Sequence, residues 1–96
     1  MKRRINIRAK VWKYPGPAGW YFVNADKKTS ALLKAHKGKR VAWGYIPVTA
    51  KIGKTEWATT LFPSKEGPYL LAIKADVRRR EMIDEGDTVS VSCALI

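Results

Sequence analysis

The chain has 96 residues, 46% of them hydrophobic and 28% charged, a composition that excludes a disordered tail and predicts one domain over residues 1–96. No apolar run approaches the ~20 residues of a transmembrane helix, and no apolar stretch follows the basic start, so neither membrane insertion nor secretion is expected. The formal net charge of +11 favours polyanionic partners, and the lone Cys93 excludes an internal disulfide and fits a cytoplasmic location.

Six segments have the apolar alternation or concentration that is typical of β-strands. In chain order they cover residues 4–12, 20–23, 41–52, 55–62, 69–73 and 88–96. The third strand is expected to bend near Gly44 or Pro47, because neither residue suits a central ladder.

Two short helices are predicted among these strands. The first begins after the N-cap Asp26 and ends before Gly38 as its C′ residue, and the second covers residues 75–82. The residues of the first helix predicted to face the core are Leu32, Leu33 and Ala35. The resulting fold class is mostly β with two short helices, in the order ββαβ-ββαβ.

Part of the sequence repeats together with this element order, at an offset of 48 residues. An aromatic-Pro-x3-Gly-x-Tyr pattern occurs at 14–21 and again at 62–69. Two further pairs share the offset: Gly38 with Gly86, and Val41 with Val89. The halves 1–48 and 49–96 are therefore predicted to interlock around a pseudo-two-fold axis, because neither half buries its apolar face alone.

Six segments have the residue pattern of a known protein family. In chain order they cover residues 11–23, 43–48, 61–63, 69–71, 74–78 and 85–89. Together they resemble the domain-of-unknown-function family 1905. That resemblance implies a double-split, six-stranded β-barrel capped by helices, an architecture shared with AbrB-like DNA-binding and antitoxin proteins. In that wider group two short chains usually build the barrel, so a chain with both halves is expected to be a monomer. The family implies no established activity.

Two residues depart from the pattern of the family that the chain resembles. Met82 stands where Gly is usual, and Ala72 stands where Pro is common. A left-handed backbone at Met82 costs ~1–2 kcal/mol. The resemblance therefore predicts either mild strain or a rearranged helix end at that position.

The excess positive charge is confined to the first half of the sequence. Residues 1–48 contain twelve Lys or Arg and one acid, whereas residues 49–96 contain seven residues of each sign. Alternation places Arg4, Arg8 and Lys10 on one side of the first strand, where outward positions repeat every ~6.5–7 Å, close to the spacing of phosphates along a nucleic-acid strand.

The candidate phosphate contacts are Arg4, Arg8, Lys10, Lys27 and Lys28, with Lys34, Lys37, Lys39 and Arg40 as an extension. They predict DNA or RNA as the partner, bound through the backbone and without sequence readout. The alternative is a solvated edge strand that its charges protect from aggregation.

The four tryptophans and four tyrosines are many for a chain of this length. Trp12 and Tyr14 are the candidate stacking residues, since they continue the first strand into a Pro/Gly turn. The four tryptophans, Trp12, Trp20, Trp43 and Trp57, are candidate walls of a groove that stacks bases or sugars. The alternatives are that these rings fill the core, or that the groove binds a neutral small ligand or a protein partner.

No set of residues predicts catalysis, metal binding or a cofactor. The single histidine, His36, has no acidic partner nearby in sequence, and Cys93 lies on the apolar side of the last strand as an inert thiol. Turn chemistry explains the acidic segment 84–87, and ion pairs with acidic neighbours explain the basic run 78–80. The sequence therefore predicts a non-enzymatic binding module.

Overall fold

The computed structural model describes residues 4–17, 19–35, 44–65 and 67–95, which form seven strands and two helices. The strands are β1 (Arg4–Lys10), β2 (Trp12–Lys13), β3 (Tyr21–Asn24), β4 (Ile46–Ile52), β5 (Thr55–Pro63), β6 (Tyr69–Ala72) and β7 (Thr88–Leu95). The helices are α1 (Lys27–Ala35) and α2 (Ala75–Glu81). Neither of these two described helices is long and apolar enough to cross a membrane.

One sheet contains all seven strands in the order β1-β7-β4-β5-β6-β3-β2, with every neighbouring pair antiparallel. Val11 alone separates β1 from β2, and its amide donates to the Asp87 carbonyl while its carbonyl accepts from the Gly86 amide, both at 2.8 Å. The two segments are therefore one bent strand that pairs with β7 at one end and with β3 at the other. This strand nearly closes the barrel, which confirms the predicted fold class; six predicted strands become seven because the first is interrupted at Val11.

The strands of the two halves of the sequence interleave in the sheet. Strands of the first half pair with strands of the second in four places: β1 with β7, β3 with β6, β4 with β5 and β4 with β7. Tyr21 and Tyr69, which the 48-residue offset aligns, are the first residues of β3 and β6. The other two positions of the first half that the offset aligns, Gly38 with Gly86 and Val41 with Val89, lie outside the described residues, so the offset stays a prediction there.

The inward side chains of the strands fill the barrel. β1, β4 and most of β7 alternate buried positions with more exposed ones, as expected for strands with one face on the core. The largest of the fully buried side chains are Leu33, Ile46, Leu61, Leu71, Ile73, Val11, Val23, Val48, Val77, Val91 and Cys93. Burial raises the pKa of the Cys93 thiol to about 12, so this free cysteine is the inert core thiol that the sequence predicts.

The start of α1 is as predicted. Asp26 caps the helix, since its Oδ1 accepts a 2.7 Å hydrogen bond from the Thr29 amide. The predicted C′ residue Gly38 and the predicted start of the third strand at Val41 lie outside the described residues. Within them, that strand begins at Ile46.

The buried side of α1 differs from the prediction. Leu33 faces the core as expected, but Leu32 and Ala35 are exposed, and Ser30 is buried instead. Ser30 and Leu33 are three residues apart and so lie on one side of the helix. The helix contacts the barrel through this narrow stripe. Its rotation about its own axis is therefore decided by the contact with the barrel and not by the position of the two leucines in the sequence.

The end of α2 is in the left-handed conformation. Met82 has φ 52° and ψ 51°, and its side chain is 88% exposed, so no packing explains the choice of methionine. Of the two outcomes that the resemblance predicts, the helix end shows the strained one. The methionine backbone adopts the left-handed conformation at a cost of ~1–2 kcal/mol, and the helix end is not rearranged.

Candidate functional site

The outward side of β1 is a row of polar and cationic side chains. Arg4, Asn6, Arg8 and Lys10 are exposed. Successive side chains of this row are ~6.5–7 Å apart because they occupy alternate positions of a strand. The structure therefore brings three of the five predicted phosphate contacts onto one face.

Small hydroxyl side chains stand next to this row. The β1–β7 register sets Lys10 opposite Thr88, Arg8 opposite Ser90, and Asn6 opposite Ser92. Arg4 Nη1 donates a 3.0 Å hydrogen bond to Ser92 Oγ, and on the far side of β7 Lys51 of β4 lies opposite Ser92. The cationic face consists of Arg4, Arg8, Lys10 and Lys51 with the hydroxyls of Thr88, Ser90 and Ser92.

Two carboxylates border the cationic face. Asp26 lines the same shallow depression as Arg8 and Lys51, and Glu56 of β5 lies opposite Lys51 in the β4–β5 register. Hydrogen bonds from the backbone and side chain of Thr29 lower the pKa of Asp26, so its carboxylate is ionised at neutral pH. The face therefore has an acidic edge next to α1.

No carboxylate forms an ion pair with the cationic face within the part of the chain that the structure describes. The single ion pair there joins Arg79 to Asp76 on α2. Arginines and lysines without a direct carboxylate partner bind an anion without first breaking an ion pair. The cationic face is thus available to an anionic ligand.

The two predicted contacts on α1 are separated by the structure. Lys28 is exposed two residues after Asp26, and its charge adds to the lowering of the Asp26 pKa by Thr29. Lys27 instead lines a different depression, together with Ser30. Of the cations that were predicted to extend the surface, Lys34 lines that second depression, and Lys37, Lys39 and Arg40 lie outside the described residues.

Four aromatic rings meet on β2, β3 and the turn between them, and we call Trp12, Tyr14, Trp20 and Phe22 the aromatic platform. The Phe22 ring lies at its centre, with centroids 5.3 Å from Trp12, 6.2 Å from Tyr14 and 6.0 Å from Trp20. The Trp20 and Phe22 planes are within 7° of parallel. Tyr14 is 53% exposed and Trp20 50% exposed, so two rings of the platform offer large areas to a ligand.

Trp12 is held in place within the platform and offers less of its ring to a ligand than Tyr14 or Trp20. It is half-buried, and its Nε1 donates a 2.8 Å hydrogen bond to Asn24 Oδ1. Of the two predicted stacking residues, Tyr14 is the exposed one. Trp57 is buried to 7% exposure, and Trp43 lies outside the described residues.

The cationic face and the aromatic platform share one continuous strand. Arg8, Lys10 and Trp12 occupy successive outward positions, because Val11 between the last two points into the core. A ligand that follows this strand therefore meets cations first and aromatic rings next.

The basic run on α2 divides into different environments. Arg79 pairs with Asp76, as the sequence predicts. Arg78 instead lies against Tyr21, with its guanidinium carbon 3.7 Å from the ring centroid. The ion-pair explanation was therefore wrong for Arg78, because the fold brings an aromatic ring closer than any described carboxylate.

Sequence reasoning missed two residues of this surface. Lys51 was overlooked because it belongs to the half in which the charges cancel, although Thr49 and Lys51 alternate on the outward side of β4. Phe22 was assigned only to a strand, although its spacing of two residues from Trp20 places both rings on one side. His36, the single histidine, lies outside the described residues.

Comparisons with known proteins identify the family to which the chain belongs. None of the curated proteins matches the chain. A protein-family model matches residues 8–93, from within β1 to within β7, and so spans nearly the whole barrel. The chain therefore belongs to the family described as a domain of unknown function, DUF1905.

Proposed function

We propose that this protein binds single-stranded nucleic acid through the cationic face and the aromatic platform. The observation that carries the proposal is the continuity of Arg8, Lys10 and Trp12 along one bent strand. Lysines and arginines bind the phosphates, and aromatic rings stack on unpaired bases; this combination is typical of single-strand binding surfaces.

The exposed rings favour a single strand over a duplex. Tyr14 and Trp20 each present about half of their surface, and bases reach such rings only when they are free of a complementary strand. The fold analogy with AbrB-like DNA-binding proteins adds support for a nucleic acid, although folds of this kind host many functions. An unpaired Cys93 and a nucleic-acid ligand are both consistent with the proposed cytoplasmic location.

The proposal is tested by titrating the protein into fluorescein-labelled oligothymidine and into a labelled duplex of equal length, over a series of NaCl concentrations. We expect tighter binding of the single strand, with an affinity that falls as salt rises. Neutralisation of three phosphates corresponds to a slope of about −2 in log K against log salt. Absence of binding, or an affinity independent of salt, overturns the proposal.

A pair of charge-matched variants separates the cationic face from net charge. Arg8→Gln with Lys10→Gln removes two cations from the face, and Lys65→Gln with Arg80→Gln removes two exposed cations elsewhere. We expect the first variant to lose roughly tenfold or more in affinity and to flatten the salt slope, and the second to stay within about twofold. Equal losses in both variants show that charge alone governs binding and contradict the proposed face.

A second candidate function rests on the exposed aromatic rings alone. In it, Tyr14 and Trp20 bind a neutral small ligand or the apolar surface of a protein partner. This candidate predicts quenching of tryptophan fluorescence that salt does not change, and no binding of oligothymidine. The salt series therefore distinguishes the two functions.

A further inference from the structure

A second groove lies between the two halves of the barrel and shares only Trp20 with the aromatic platform. It encloses about 440 Å³, and its walls include Trp20, Tyr21, Trp57, Phe62, Lys74 and Arg78. The threonines Thr59 and Thr60 also line it. A volume of this size suits a small molecule.

Arg78 is held in place beside this groove. Its Nε donates a 3.1 Å hydrogen bond to the Ile73 carbonyl, and its guanidinium carbon lies 3.7 Å from the centroid of the Tyr21 ring. Neither contact takes a hydrogen bond from the two terminal nitrogens of the guanidinium group, so these nitrogens can donate to a ligand. A guanidinium fixed in this way loses little side-chain entropy when it binds a phosphate or carboxylate through its two parallel N–H groups.

The charge of the groove is positive. None of the described residues that line it is acidic, and no described carboxylate lies within ion-pair distance of Arg78. Lys74 also lines a small neighbouring depression that contains Glu56 and Asp76. Its charge is therefore shared between the groove and that depression. Arg78 is the cation that belongs to the groove alone.

From these contacts we infer that the groove binds a small planar aromatic anion. The ring of the ligand stacks in the space next to Trp20 and Trp57, and its phosphate or carboxylate accepts hydrogen bonds from Arg78, with Lys74 adding charge. This site goes beyond single-strand binding, because none of the cations of β1 contributes to it.

The test uses two aromatic anions with their uncharged counterparts: AMP with adenosine, and indole-3-acetate with indole. Binding is followed in ¹H–¹⁵N NMR spectra through the indole signal of Trp57 and the amides of Thr59 and Thr60. We expect at least one anion to shift these signals, and its neutral counterpart to bind roughly tenfold or more weakly. The comparison of each anion with its own neutral counterpart isolates the contribution of the phosphate or of the carboxylate.

Variants on α2 provide the matched control. Arg78→Gln should weaken binding of the anion by roughly tenfold or more, whereas Arg80→Gln removes the same charge from an exposed position outside the groove and should have little effect. A melting curve of each variant verifies that the barrel is intact. If Arg78→Gln does not fold, the map of shifted signals in the unmodified protein decides the matter.

The inference is overturned if neither anion shifts the groove signals, if anion and neutral counterpart bind equally, or if Arg78→Gln and Arg80→Gln have equal effects. It is also overturned if the shifts map to β1. The variant with Arg8→Gln and Lys10→Gln should bind the aromatic anion normally while losing affinity for oligothymidine, so failure of one site is distinguishable from failure of the other.

Discussion

The hydroxyl of Ser30 accepts a 3.0 Å hydrogen bond from the amide of Tyr69 and so joins α1 to the first residue of β6. The same hydroxyl lies 3.4 Å from the carbonyl of Ala25, to which it donates. Ala25 and Tyr69 are also linked directly, since the Ala25 amide donates to the Tyr69 carbonyl at 2.8 Å. One small buried side chain therefore fixes the start of the helix against the strand of the other half.

Replacing Ser30 by Ala should lower the free energy of unfolding by about 1–3 kcal/mol, because the Tyr69 amide is left buried without an acceptor. Urea unfolding followed by tryptophan fluorescence measures the change. Ser90→Ala is the matched control on the exposed side of β7, and we expect it to stay within ~0.5 kcal/mol of the unmodified protein. A neutral Ser30→Ala contradicts the role of this hydrogen bond.

Met82→Gly should raise the free energy of unfolding by about 1 kcal/mol. Gly adopts the left-handed backbone of this position without the steric cost that methionine carries, although its greater freedom in the unfolded chain offsets part of the gain. Met82→Ala removes the exposed side chain but keeps the strain, so it should leave the stability nearly unchanged. Equal stabilisation by both replacements would show that the side chain, not the backbone, is responsible.

Gly53→Ala should destabilise the protein by about 2 kcal/mol. Gly53 has φ 56° in the β4–β5 turn, and an added Cβ would overlap the carboxylate of Glu81. To avoid it, the Glu81 carboxylate must shift, which weakens the 2.7 Å hydrogen bond that its Oε2 accepts from the Thr55 hydroxyl and adds to the cost of the left-handed backbone. In a double-mutant cycle, Gly53→Ala should cost less in a Glu81→Ala background; equal costs in both backgrounds contradict this coupling.

The buried thiol of Cys93 predicts a loss of stability at alkaline pH. Burial raises its pKa from the ordinary 9.0 to about 12, so above pH 9 the unfolded chain releases a proton that the folded chain retains. The folded state then binds more protons, and its stability falls as the pH rises from 9 towards 12. Cys93→Val lacks this contribution, and its urea-unfolding free energy should decline less steeply over the same range. Parallel declines would count against the assignment.

Tyr14→Ala tests the aromatic platform without touching the groove. We expect it to weaken binding of oligothymidine by about 1–3 kcal/mol and to leave binding of the duplex unchanged, since one stacking surface for an unpaired base is lost. Leu32→Ala, which shortens another exposed apolar side chain on α1, is the control and should have no effect. An equal loss for duplex and single strand would exclude stacking as the cause.

Local patterns predicted those features that depend on near neighbours in the chain. The alternation along β1 fixed the outward side of Arg4, Arg8 and Lys10, because a strand turns successive side chains to opposite faces. The cap at Asp26 followed from residue type and position in the same way. The strain at Met82 came from the resemblance, since only the departure from Gly marks it.

The tertiary structure decided what meets across the sheet. Period-two alternation says which side a residue takes but not which strands are neighbours, so Lys51 joined the cationic face only when β4 paired with β7. The contact of Arg78 with Tyr21 and the burial of Ser30 in place of Leu32 likewise depend on how the barrel closes and how each helix rotates upon it. Closure is a collective result of strand pairing between distant segments, and no local window of sequence contains it.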